Sequence, residues 1–197
     1  YHIQDYEEDY ASGKIFSRMI DGLGFRYYWV TKDLSEKDLD YRPSENGRNT
    51  METLQHIHAL SERIRVVAQD KVFQRPAEGP ELSYNQLREK TLRNLNLAAR
   101  EFESKSGKEL RTMKIRYKSG EEEISFSLWN LINGPIADAI YHTGQVVAFR
   151  RAAGNPIQEG VNVFLGLLYN LHSLGLFFGH IAGQGIQQLL FGLKFYR

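Results

Sequence analysis

The chain has 197 residues, 42% of them hydrophobic and 25% charged, with a net charge of +1. That length and apolar content suit one packed domain with or without an extension, and so even a charge balance gives no field that selects nucleic acid or an acidic partner. The absence of cysteine excludes disulfides, thiolate ligands and a cysteine nucleophile, leaving His, Asp and Glu as the strong metal ligands and favouring ions such as Zn²⁺, Ni²⁺ or Fe²⁺.

The opening stretch Tyr1 to Asp9 is acidic and polar, unlike a signal sequence; cytoplasm is the expected compartment. A first helix is predicted from Ala11 to Lys32, because Phe16, Met19, Ile20, Leu23, Tyr27 and Val30 recur at three- and four-residue spacing. Pro43 and Asn46-Gly47 then mark a loop. The second helix starts near Asn49 or Thr50, either of which can cap its first turn, and runs to Asp70. Arg75 to Pro80 reads as a loop. The third helix opens behind Ser83 and runs to Lys105, burying Leu87, Leu92, Leu95, Ala98, Ala99 and Phe102. Its basic residues Arg88, Lys90, Arg93 and Arg100 have no aromatic platform or basic tail beside them, so they read as solvated or ion-paired, not as a nucleic-acid surface.

From Leu110 to Phe126 the period changes. Met113, Ile115 and Tyr117 alternate with Lys114, Arg116 and Lys118, and Ser119-Gly120 turns the chain, which predicts a small hairpin. Ser127 is placed to cap a fourth helix from Leu128 to Ala153, ended by Gly154-Asn155-Pro156. The expected fold is all-α: a four-helix bundle with a short β-like insertion before its last core helix.

Chemistry must come from placement among six histidines. On the second helix, Leu54, Ile57, Leu60, Ile64, Val67 and Ala68 define an apolar arc. At about 100° per residue, His56 lies roughly 80° from the centre of that arc and His58 roughly 120° away on the other side. His56 is therefore expected to look inward and His58 outward. On the fourth helix, Asp138 and His142 are one turn apart on a single face, a strip that also carries Leu131 and Phe149. A carboxylate and an imidazole so placed can chelate one metal, and a third ligand from a neighbouring helix would complete a facial set with open positions. From spacing alone, a surface Asp–His ion pair is the commoner outcome. Gln145, about 60° from His142 on the helix, suits a supporting role, and Tyr141 suits packing or substrate orientation. No phosphate-binding loop and no Ser–His–Asp arrangement is legible.

Two segments carry a resemblance. Thr50-Met51-Glu52-Thr53-Leu54-Gln55-His56-Ile57 resembles the helix that bears the first metal histidine in the DinB/YfiT-like superfamily. Ile140-Tyr141-His142-Thr143-Gly144-Gln145, followed by Arg150-Arg151 and Gly154, resembles that family's later helix, and Leu34 to Pro43 its first connection. The likeness covers roughly residues 10–165. It implies a divalent-metal site of His56, Asp138 and His142, with Zn, Ni or Fe as candidates. In that family the later helix usually supplies two histidines; here Asp138 stands in the place of the first, a harder and negatively charged ligand. The resemblance further implies an enzyme acting on a small molecule by thiol-dependent transfer or hydrolysis. The alternative is a non-catalytic metal- or ligand-binding stress-response protein on the same scaffold. It assigns no catalytic residue.

The bundle is expected to occupy residues 1–164, and 165–197 to form an apolar, glycine-rich extension. Residues 163–193 contain no Asp, Glu, Lys or Arg; 18 are apolar, six are glycine and seven are neutral polar or His. That many polar groups are costly in hydrocarbon, so the expected use is packing on the bundle or on a second copy in a homodimer. Contact with a membrane is the lesser alternative.

Overall fold

A computed structural model describes residues 3, 9–74 and 81–169. The protein is mostly helical, with a few small strands. In chain order the elements are α1 (Ser12–Val30), α2 (Glu36–Asp40), α3 (Thr50–Ala68), β1 (Val72–Gln74), α4 (Tyr84–Glu103), α5 (Gly107–Thr112), β2 (Lys114–Ser119), β3 (Glu122–Ser127) and α6 (Trp129–Leu131). A π-helical turn (Ile132–Ile136), α7 (Ala137–Ala153), β4 (Val161–Asn162) and β5 (Leu167–Leu168) follow.

The four long helices share one core. α1 packs on α4 and α7, and α3 packs on the same two helices. The predicted apolar stripes point into it: Phe16, Ile20, Leu23, Tyr27 and Val30 from α1; Leu54, Ile57, Leu60, Ile64 and Val67 from α3; Leu87, Leu95, Ala98 and Phe102 from α4. Phe16 stacks on Phe102 with ring centroids 4.9 Å apart. One turn away, Gly13 lets α1 approach the end of α4. A Cβ there would lie 2.3 Å from the carbonyl oxygens of Phe102 and Lys105.

Three local expectations change. The connection after α1 contains a helical turn, α2, because Ser35 and Asp38 close a capping box on each other. Leu110 to Thr112, expected to be extended, belongs to α5, which Ser106 and Glu109 cap in the same way. The hairpin of β2 and β3 exists, with Gly120 at φ +62° in its turn. It also gains β1 as a parallel neighbour of β2, pairing Phe73 with Tyr117. Three residues are too few to carry a period, so β1 left no mark in the sequence pattern.

One polar cluster ties the first and last core helices together. Arg150, 4% exposed, donates from one guanidinium nitrogen to the carbonyls of Trp29 (3.2 Å), Val30 (3.1 Å) and Lys32 (2.9 Å). These are carbonyls at and just beyond the end of α1, where helical partners run out. Arg150 also bonds Asn155, whose side-chain amide donates to Asp38 at 2.7 Å. Gly154, at φ +88°, ends α7 in the left-handed conformation that this turn requires.

The expectations for the loop at 75–80 and for the apolar sequence from residue 170 onward lie outside the described residues. Within them, β4 and β5 pair across position 164, and the backbone N–H of Ile3 donates to the carbonyl of Gly166 at 3.0 Å. Among the described residues, no helix is long and apolar enough to cross a membrane.

Candidate metal centre

The phase of α3 is set at its start. The Asn49 side chain accepts from the Glu52 N–H at 2.8 Å, and the Glu52 carboxylate accepts from the Asn49 N–H at 2.8 Å. This reciprocal cap fixes where the helix begins, and hence that His56 faces α7. The opposing, helical side of the site is less regular. Pro135 lacks an N–H and would collide with the preceding turn of an α-helix. The wider π turn of Ile132–Ile136 takes it up before α7 resumes at Ala137. The fourth helix expected from 128 to 153 is thus a helical run interrupted just upstream of Asp138.

α3 and α7 bring the three proposed ligands together. His56 Nε2 lies 3.2 Å from Asp138 Oδ2, and His142 Nε2 lies 3.2 Å from Asp138 Oδ1. The imidazole rings meet edge to face, with centroids 4.6 Å apart. The ligand atoms all lie within 4.8 Å of one another. Two ligands each about 2.1 Å from a common ion stand roughly 3–3.5 Å apart, so the carboxylate–imidazole spacings already match a shared centre. The side chains of His56, Asp138 and His142 are 26%, 42% and 12% exposed, which leaves one side open to solvent.

Protonation favours metal binding at His56. Burial pushes its imidazole below the ordinary value, and the nearby charge of Arg48 adds to this, while the bond to Asp138 pulls the other way. A neutral imidazole keeps its lone pair for a ligand. On His142 the tautomer is set by a neighbour: its Nδ1 lies 2.7 Å from Gln145 Oε1. An amide oxygen only accepts, so Nδ1 carries a proton in this contact, and Nε2 is the nitrogen turned to the Asp138 carboxylate. With His56 on the other carboxylate oxygen and all three ligand atoms within 4.8 Å, the contact can be closed by a proton on Nε2 or by a shared cation. The donor set therefore fits a divalent ion.

The remaining candidates fall as follows. His58, expected to face outward, does not. Its side chain is 12% exposed, and its Nδ1 lies 3.0 Å from Thr91 Oγ1 on α4. Helix α3 is flanked by α4 on one side and α7 on the other, so its buried arc is wider than its apolar residues show. Thr53 and Ser61 are buried on it as well. Tyr141 is exposed, its ring 5.1 Å from that of His142, and its hydroxyl accepts from the Gln145 amide at 3.3 Å. Phe149 extends the strip and meets Tyr41 with ring centroids 5.7 Å apart. Arg48, whose charge reaches His56, was not singled out by the sequence. It lies eight residues upstream, off any helical repeat that would connect them.

A sequence model described as the DinB family matches residues 26–159, more than half of the chain. The chain belongs to the DinB family. Neither a curated protein nor a solved structure matches it. The DinB match takes in His56, Asp138 and His142, together with the helices that carry them. The stretch that matches the DinB family thus also contains a His–Asp–His cluster able to hold a metal ion.

Proposed function

We propose that this DinB protein is a divalent-metal-dependent enzyme acting on a small molecule, with His56, Asp138 and His142 as the protein ligands. The observation that carries the proposal is the convergence of His56 Nε2 and His142 Nε2 on the Asp138 carboxylate, each at 3.2 Å. Three protein ligands with one open side leave room for solvent and substrate, as catalytic centres do and purely structural ones do not. That openness favours an enzyme over a storage or binding role. An ion held there supplies Lewis-acid polarisation to a substrate or to the attacking thiol or water. The chain's own contribution is to hold the two imidazoles at a right angle, to neutralise part of the ion's charge through Asp138, and to wall the centre on the α3–α7 side. Thiol-dependent transfer or hydrolysis is the reaction class that the family resemblance supports.

The same reading takes α1, α3, α4 and α7 as the four helices of a DinB-type bundle, and a second copy of the chain as the cover for the apolar C-terminal sequence. Light scattering without detergent tests the latter; a monomer would overturn it. For the metal, the direct experiment is elemental analysis of gently purified protein, followed by Zn²⁺ and Ni²⁺ titration of the stripped form. One equivalent is expected, abolished by His142→Ala and retained by His58→Ala. Equal loss from both substitutions would refute the ligand set.

A further inference from the structure

Gln145 occupies a position that the ligand set alone does not explain. Its two amide ends are used in opposite senses. Oε1 accepts from His142 Nδ1 at 2.7 Å, and Nε2 donates to the Tyr141 hydroxyl oxygen at 3.3 Å. All three groups sit on one stretch of α7, at spacings of three and four residues, where helical side chains meet. The backbone therefore holds the relay without help from any other element. A metal-ligating imidazole generally has its second nitrogen held by an acceptor, which fixes ring orientation and raises ligand basicity. The usual partners are a carboxylate or a backbone carbonyl. Here the backbone carbonyls near His142 are engaged by the helix, and the nearest carboxylate, Asp138, lies on the Nε2 side.

We infer that Gln145 is a positioning residue that holds the His142 ring through Nδ1 in the Nδ1-protonated tautomer, with the Tyr141 hydroxyl anchoring the other end of the amide. The inference rests on the metal reading for its purpose and not for its geometry, because the hydrogen bonds exist without an ion. Reversing the amide would put an N–H against Nδ1, move the ring proton to Nε2, and block the lone pair that the centre needs. The Tyr141 hydroxyl, which can accept or donate, anchors the far end of the amide without selecting its sense.

The test has two readouts. In metal-free protein, long-range ¹H–¹⁵N correlation spectra of the imidazoles report the tautomer. His142 is expected as the Nδ1–H form in the wild type, and as a mixture or the Nε2–H form in Gln145→Leu. In the second, Co²⁺ titrated into the full chain is followed by its visible absorption. Gln145→Leu should weaken Co²⁺ binding about 10- to 100-fold, while Gln145→Glu, whose carboxylate accepts the same proton, should stay within a few-fold of wild type. Tyr141→Phe should lie between them. Wild-type spectra showing His142 as Nε2–H, or Gln145→Leu binding Co²⁺ as tightly as wild type, would overturn the inference. Failure of the wild type to bind Co²⁺ would instead sink the metal centre, with the tautomer spectra still deciding the role of Gln145.

Discussion

At the scale of single residues, the candidate site was legible where a spacing rule applied and illegible where a neighbour decided. Asp138 and His142 share a face because α7 is a helix, and four residues make one turn. Sequence could therefore pair them. Spacing could not show that His56 would meet them, since nothing local joins α3 to α7; only the family resemblance implied it. His58 was misjudged for the complementary reason: an imidazole outside the apolar arc can still be covered by a second helix. This has a pH consequence. Burial pushes the His58 imidazole below its ordinary value, ahead of the charges around it. Below about pH 6.5 the unfolded imidazole takes up a proton that the folded one resists. The unfolded chain then binds more protons, so this contribution to stability is present above that pH and is lost as pH falls. Melting of metal-free protein between pH 7.5 and 5.5 should show the loss, and His58→Gln should reduce the slope. An unchanged slope would mean that water reaches the His58 imidazole in the folded chain. The Asp138→His substitution belongs to this scale too. It restores the usual pair of histidines and should retain or tighten Zn²⁺ binding by calorimetry. Loss of binding would show that the two carboxylate oxygens, one against each imidazole, are both required.

Among elements, caps and periods carried most of the information. Asn49 and Ser83 begin α3 and α4 with capping boxes, and each was readable as a polar residue ahead of an apolar repeat. The short α2 and α5 are built by the same device, with too few residues to display a period. The π turn around Pro135 leaves no period of its own, and the sequence reading ran one helix straight through it. What binds these elements is the Arg150 cluster. Burial alone would raise the Asp38 carboxyl, but bonds from Ser35 and Asn155 outweigh it and hold the group below its ordinary value. Asp38 thus stays ionised as the far end of the chain from Arg150 through Asn155. Replacing Arg150 by Leu orphans carbonyls at the end of α1 and removes a buried charge from its partners. The expected loss is about 3 kcal/mol in denaturant unfolding. A loss below about 1 kcal/mol would show that water replaces the guanidinium. Gly13→Ala tests the α1–α4 contact: the helix propensity gain is outweighed by the clash with two backbone carbonyls, so net destabilisation is expected. Stabilisation would show that the helices can part at that end.

For the whole molecule, the site lies between two helices that are both held by the common core, so metal binding and folding should be linked. An ion that binds only the folded chain stabilises it by about 2.7 kcal/mol at a hundredfold excess over its dissociation constant. For a protein of this size that corresponds to roughly 5–10 °C in melting temperature. Zn²⁺ should raise the melting temperature of the wild type and leave His142→Ala unmoved; an equal rise in both would show binding elsewhere. The sequence by itself determined the helical character of the chain, the extent of its first three long helices, the hairpin before the last of them, the family, and the pairing of Asp138 with His142. Each depends on interactions between residues a few positions apart, or on a motif read along the chain. The resemblance along the chain implied His56 as the third ligand; tertiary structure alone decided how α3 and α7 lie against each other, that His58 lies against Thr91, and that β1 joins the sheet. Those contacts join residues 33 to 86 positions apart, and no local period or cap encodes which helix faces should meet.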